Sequence, residues 1–210
     1  MASIASIHGV MRATRLLDPG EQPRFNPFSF SALRGRLVEI VVNSGTPAFS
    51  LIAILLKSAQ RLSEPVVWIS AGGSIFYPPD FSENGISIEH LPVVWTNGRE
   101  PALRATEHLL RSGAFGLLVV DLEKPGEIKP GRLGTLNRLA SLQQIVVVFL
   151  NTYSDGQREG LGSLISLRLS VELAHSGPNQ FVCRVCAVKD KHAPAGWVQE
   201  VMFRGTDGLY

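Results

Sequence analysis

The sequence predicts a single α/β domain, and three observations carry that prediction. At 210 residues the chain is long enough to bury a sizeable core and suits one domain of this class. Its 45% hydrophobic and 18% charged residues fit a folded globular protein rather than a disordered or fibrous one. Most informative is the stretch from Arg34 to Leu62, where a buried strand, a short turn and a buried helix follow one another.

Within that stretch, Gly35–Val42 is a near-continuous apolar and β-branched run, the pattern of a strand covered on both faces. Asn43–Pro47 gathers Asn, Ser, Gly, Thr and Pro, a turn composition. From Ala48, the residues Phe49, Leu51, Ile52, Ile54 and Leu55 describe a helix that is apolar on more than one face. Strand, short loop and helix are the frame in which nucleotide-binding proteins place a phosphate loop. The segment Gly35-Arg36-Leu37-Val38-Glu39-Ile40 resembles the strand that enters the phosphate loop of the RecA recombinase family.

A working loop of this kind is G-x-x-x-x-G-K-[ST]. Its glycines let backbone N–H groups wrap the phosphates, its Lys neutralises them, and its hydroxyl holds Mg²⁺. Laid on the RecA frame, Val42 and Pro47 take the two glycine positions, Ala48 takes the Lys and Phe49 takes the hydroxyl. Pro47 also lacks the N–H that would face a phosphate. The resemblance therefore implies a phosphate loop kept in outline and lost in chemistry.

Later segments extend the resemblance in order, over about residues 34–205. Pro65–Ala71 is a second buried strand, matching the RecA strand that ends in a catalytic Glu; Gly72 or Gly73 falls at that place. Ser74–Pro79 reads as a turn, and Ile86–Leu91 with Val93–Trp95 leads to an edge strand. Asn97 is the candidate cap of a helix with Pro101 in its first turn, which Gly113 ends. Arg111–Phe115 followed by Leu117–Asp121 is similar to the RecA segment that carries the Walker B carboxylate, so Asp121 is its vestige here. Gly131–Leu142 is a helix with Leu133, Leu136, Leu139 and Ala140 inward. Gln144–Asn151 is a fourth central strand, and Thr152 stands where RecA has a γ-phosphate-sensing Gln. The connections at Leu122–Pro130 and Tyr153–Leu161 are short where that family has DNA-binding loops, and strands at Ser163–Leu173, Gln180–Val188 and Gly196–Phe203 follow. Lys189 and Lys191, in a hairpin between the last two, match RecA lysines that reach across a filament interface to the neighbour's nucleotide.

The fold implied by the resemblance is a RecA-like ATPase core. It is a mostly parallel twisted sheet with helices on both faces, an antiparallel extension on the C-terminal side and no separate C-terminal domain. The division is an N-terminal arm over residues 1–33 and a core over residues 34–210. Ile4, Ile7, Val10 and Met11 have helical spacing, and Leu17–Ser31 is a Pro-containing linker whose Phe25, Phe28 and Phe30 pack back on the domain.

Several function classes are excluded or demoted. The longest apolar run is far short of the ~20 residues that span a bilayer, and no signal peptide is read at the N-terminus, so no membrane contact and a cytoplasmic location are expected. A net charge of +2 is too small to announce nucleic acid, although arginine outnumbers lysine fifteen to five. Cys183 and Cys186 have C-x-x-C spacing, but positions i and i+3 of a strand point to opposite faces, so both read as ordinary thiols. The five histidines make no metal-binding spacing.

The reading is a protein with no catalytic residue, cofactor or metal. It is most like the ImuA-type accessory proteins of the bacterial mutasome, which serve error-prone translesion synthesis in the SOS response. Its implied partners are RecA and/or a mutasome polymerase-like subunit, with weak or no direct DNA binding. Lys189 and Lys191 are the candidate contacts to a neighbouring RecA-type subunit. One alternative is a DNA-binding module using Arg34, Arg36, Arg132, Arg138 and Arg158 on phosphates. Another is a residual nucleotide-binding ATPase relying on Asp121 and Gly45.

Overall fold

A computed structural model describes residues 10–11, 26–42, 48–72, 76–122, 126–152, 160–177 and 180–204. In chain order its elements are β1 (Val10–Met11), β2 (Leu37–Val42), α1 (Ala48–Arg61), β3 (Val66–Ser70), α2 (Pro78–Glu83), β4 (Val93–Trp95), α3 (Arg99–Ser112), β5 (Leu117–Asp121), α4 (Pro130–Gln143), β6 (Val146–Thr152), β7 (Leu167–Gly177), β8 (Gln180–Asp190) and β9 (Val198–Arg204). The strands form one sheet in the order β1-β9-β8-β7-β2-β6-β5-β3-β4. From β7 to β4 all neighbours run parallel, whereas β7, β8 and β9 pair antiparallel. This is the α/β architecture of a RecA-like core, with its antiparallel extension on the C-terminal side.

The sheet carries a hydrophobic core on each face. Val38 and Ile40 of β2, with Trp68, Val119 and Val148, pack against Leu51, Ile52, Leu55 and Leu56 of α1 and Phe81 of α2. On the other face, Leu37, Val67, Val120, Val147 and Phe149 meet Leu103 and Leu110 of α3 and Leu133, Leu136, Leu139 and Ala140 of α4. Strands buried on both sides need apolar residues at consecutive positions, which is why the central runs show no polar alternation. The four α4 residues expected to face inward are all buried. Gly113 ends α3 in the left-handed conformation at φ 64°, with its N–H donating to the carbonyl of Leu110.

Several local expectations are corrected. Val10 and Met11 are not helical but pair in parallel with Val198 and Gln199 of β9, where an open sheet edge supplies backbone partners that a short isolated helix lacks. Ile4, Ile7 and Phe25 lie outside the described residues, while Phe28 and Phe30 are buried in the first core beside Leu33. The turn expected to run to Pro79 gives way to α2, which starts at Pro78 because proline is pre-set for a helix's first turn. Residues Ile88–His90 form a 3₁₀ turn ahead of the edge strand β4. Gly98, not Asn97, is the N-cap of α3, at φ 99°, where glycine avoids the Cβ penalty. Its N–H donates to Ala71 O at 2.7 Å, which ties the helix start to the end of β3. The strand expected from Ser163 begins only at Leu167, because the chain before it crosses the second face and buries Leu161 and Ile165 there.

Candidate functional site

The phosphate-loop positions lie where β2 hands over to α1, at the C-terminal edge of the central strands. Val42 is half-buried at the end of β2, and Pro47 lies outside the described residues. Ala48 opens α1 fully buried, so a methyl group occupies the place the motif gives to an ammonium. Phe49 stacks on Trp68 of β3, with ring centroids 5.9 Å apart and planes at 16°, and meets Phe81 edge-on at 6.5 Å. Phe76 completes the group, 5.0 Å from Trp68 and 5.0 Å from Phe81. Where the motif places a metal-binding hydroxyl, this chain has one member of a four-ring cluster. That cluster is a site feature the sequence reading missed; the signal was aromatics on α1 and β3 followed by two more, Phe76 and Phe81, just before and within α2.

The remaining positions that match the RecA nucleotide site lie at the ends of the neighbouring strands. Asp121 ends β5 at 8% exposure, in register with Ser70 of β3 and Leu150 of β6. Gly72, one of the two residues matched to the RecA catalytic Glu, stands at φ 104° just after β3, and Gly73 lies outside the described residues. Thr152 ends β6 in register with Val42. The structure thus gathers Val42, Ala48, Phe49, Asp121 and the backbone of Thr152 at one edge.

A buried polar network, also missed, stands beside that edge on the second face. Glu39 is fully buried in β2. Its Oε1 accepts hydrogen bonds from Asn151 Nδ2 at 2.9 Å and from the backbone N–H of Leu161 at 3.1 Å, and its Oε2 accepts from Arg168 Nε at 2.8 Å. A buried carboxylate needs such partners to remain charged. Gly160 lies so close to the Arg168 guanidinium that a Cβ there would overlap it. Arg99, at the start of α3, donates to Gly126 O; burial lowers its pKa, against the opposing pull of Glu100 and Glu39.

Lys189 and Lys191 are at the other edge. Asp190 between them pairs with Leu167 at the start of β7, and β7 runs parallel to β2. The lysines therefore sit level with the beginning of β2, and its six residues separate them from the phosphate-loop position by about 20 Å at about 3.3 Å per residue. They cannot reach their own chain's site. Lys189 is the last residue but one of β8 rather than part of a hairpin turn, and its Nζ donates to Ser163 O at 2.8 Å. Burial lowers its pKa, helped by the like charges of Lys191 and Arg168 and opposed by Glu39. Lys191 is exposed, with its N–H bonded to Ser166 O at 2.9 Å.

The arginines proposed for DNA phosphates divide. Arg36 is removed from that role: only 4% exposed, it is paired internally with Asp190. Arg34 pairs with Glu64, Arg132 lies 3.7 Å from Glu100, Arg138 is exposed, and Arg158 lies outside the described residues. Both cysteines are free, Cys183 buried and Cys186 half-buried on opposite faces. Among the described residues, no group of three or more His, Cys, Asp and Glu could hold a metal, and no helix is long and apolar enough to cross a membrane.

This geometry defines a RecA-like α/β core, and sequence comparison agrees. The chain is 32% identical over 119 residues to Protein RecA 1 of Myxococcus xanthus, covering 51% of this chain and 34% of that protein. It is 34% identical over 119 residues to Protein RecA of a Nocardioides species, covering 51% and 33%. It is 28% identical over 138 residues to Protein RecA of Caldanaerobacter subterraneus, covering 56% and 40%. The matched region is thus about half of this chain and a third to two-fifths of these curated relatives. No protein-family model matches the chain.

Proposed function

We propose that this chain is a non-hydrolysing, RecA-like accessory protein of the DNA-damage (SOS) response and error-prone translesion synthesis, of the ImuA type. It acts through contacts with RecA and/or a mutasome polymerase-like subunit. The observation that carries the proposal is the filled nucleotide edge: Ala48 is fully buried and Phe49 is stacked on Trp68 where a phosphate-binding Lys and a metal-binding hydroxyl would stand. Apolar packing of this kind offers nothing to a triphosphate, whose charges need an ammonium, a metal or aligned N–H groups.

The placement of the lysines supports a mode of action. Lys189 and Lys191 lie at the edge opposite their own phosphate-loop position; Lys191 is exposed, and Lys189 would exchange its bond to Ser163 O for a partner outside the chain. A subunit of this kind docks its lysines on a RecA neighbour's nucleotide and offers no working site to the next subunit, so it ends the filament.

The test is a RecA strand-exchange and ATPase assay with this protein titrated in and its own turnover as control. Suppression of RecA at substoichiometric ratios, without intrinsic ATP hydrolysis, is the expected result. Unchanged RecA activity would overturn the filament-capping mode and direct the search to the polymerase-like partner. Intrinsic turnover would overturn the non-hydrolysing assignment itself.

A further inference from the structure

The two lysines flank an acidic residue that faces the opposite way and is deeply engaged. Asp190 Oδ1 accepts from Arg36 Nη2 at 2.6 Å and from the N–H of His192 at 2.9 Å, and its Oδ2 accepts from Trp197 Nε1 at 2.9 Å. The side chains of the Arg36–Asp190 pair are only 5% and 1% exposed. Arg36 also donates to the hydroxyl and carbonyl of Ser166, each at 3.2 Å, and that carbonyl accepts the N–H of Lys191. One buried ion pair therefore joins the entry to β2, the entry to β7, the end of β8 and the turn that leads to β9.

The strand register makes this pair decisive for the lysines. Leu169 pairs with Ala187 but Arg168 pairs with Lys189, leaving Val188 as the extra residue of a β-bulge. Paired residues share a face, so Lys189 lies on the side of Arg168, and Asp190 lies with Leu167 on the side of the first core. Without the bulge, Lys189 would pair with Leu167 and turn to that side, since a one-residue slip reverses every side chain. The bulged register is the one that brings the Asp190 carboxylate to Arg36.

We propose that Asp190 is a positioning residue: through its buried pair with Arg36 it fixes the bulge that turns Lys189, and with it Lys191, toward an anionic partner. This rests on the role given above to the two lysines. Asp190→Asn does not preserve the arrangement, because an amide NH₂ and the Trp197 N–H would then both be donors in one contact.

The experiment measures affinity for RecA filaments, formed on single-stranded DNA with a non-hydrolysable ATP analogue, as a function of salt. Lys189→Ala with Lys191→Ala is expected to weaken binding about tenfold, the worth of one charged hydrogen bond, and to flatten the salt dependence. Arg36→Met with Asp190→Leu removes both buried charges and leaves the lysines in the sequence. It is expected to fold and to show the same loss and the same flattened slope. A merely structural pair predicts wild-type affinity and slope in this variant, and that result would overturn the inference while sparing the lysines. Should the variant not fold, Asp190→Asn serves instead, because the salt slope of its folded fraction does not depend on how much is folded. Wild-type binding by the lysine variant would remove the underlying reading, and this inference with it.

Discussion

The two edges of this one sheet have been built by opposite means. At the C-terminal edge, positions that a phosphate loop would fill with ionic and hydroxyl groups hold a methyl and stacked rings. At the N-terminal edge, the chain retains a buried ion pair and two lysines beyond it. Aromatic burial stabilises outright, with each ring hiding about 150–250 Å² from water. A buried ion pair does not, since its desolvation offsets much of its attraction, and well-packed apolar residues often serve as well. The first edge is therefore explained by stability alone. The second asks for a reason beyond stability, and the placing of Lys189 and Lys191 proposed above would be one.

The largest effect that can test this contrast lies in the aromatic cluster. Trp68 is fully buried and touches Phe49, Phe76 and Phe81, so Trp68→Ala is expected to cost about 3–5 kcal/mol in urea unfolding. Among the described residues its indole N–H has no hydrogen-bond partner, which makes the residue's contribution one of packing. A loss below about 1 kcal/mol would mean that the rings do not hold this edge together.

Next in size is Asp190→Asn, expected to cost about 3 kcal/mol because it leaves the buried Arg36 without a counter-charge. Its effect depends on pH. Burial raises the Asp190 pKa, but hydrogen bonds from Trp197 and the His192 N–H, with the Arg36 guanidinium, outweigh it and hold the carboxyl below its ordinary 3.8. The unfolded chain thus binds this proton more readily than the folded one. The stabilisation is complete above the ordinary value and is lost as pH falls through the lower folded one. The wild-type and Asp190→Asn stability curves should therefore converge as pH drops below about 4. Parallel curves would show that the carboxylate charge is not what matters.

A smaller effect is expected of Phe49→Thr, which restores a hydroxyl at the motif position. Phe49 is only half-buried, so about 1–2 kcal/mol should be lost with its stacking on Trp68. Calorimetry with millimolar Mg-ATP should still register no binding, since Ala48 offers no cation. Binding regained by this one change would mean that the edge is a nucleotide site lacking a single group rather than a filled one.

How much of this was legible in the sequence follows from the range of the forces involved. The central strands and α4 announced themselves because a doubly covered strand and a 3.6-residue apolar stripe are local patterns. Ala48 and Phe49 stood out against the phosphate-loop pattern in the sequence because that pattern is also local. What Phe49 does instead was not legible, since its ring partners Trp68 and Phe81 lie 19 and 32 residues away. Glu39, Arg168, Arg36 and Asp190 read as ordinary charges on strands for the same reason: nothing within a few positions shows that each is paired with a partner more than a hundred residues away. The bulge at Val188, which decides where Lys189 points, depends on pairing with β7 and has no signature in β8 alone.

The smallest effect belongs to β8 between the two edges, at the cysteines. Cys183 lies on the first core opposite Leu173 and Val201, and burial, reinforced by Cys186, pushes its thiol up to about 12. Burial also raises Cys186, as does Glu172, while Arg184 and a hydrogen bond with Ser170 pull it back. The thiolate is the reactive form, so iodoacetamide at pH 8 should modify Cys186 slowly and Cys183 only after unfolding. Cys186→Ser should change stability by no more than about 0.5 kcal/mol, since the half-buried serine hydroxyl can keep the hydrogen bond with Ser170. Fast alkylation of Cys183 in the native protein would mean that β8 opens readily. The bulge at Val188 could not then hold Lys189 in one orientation, and the contrast between the edges would reduce to the aromatic cluster alone.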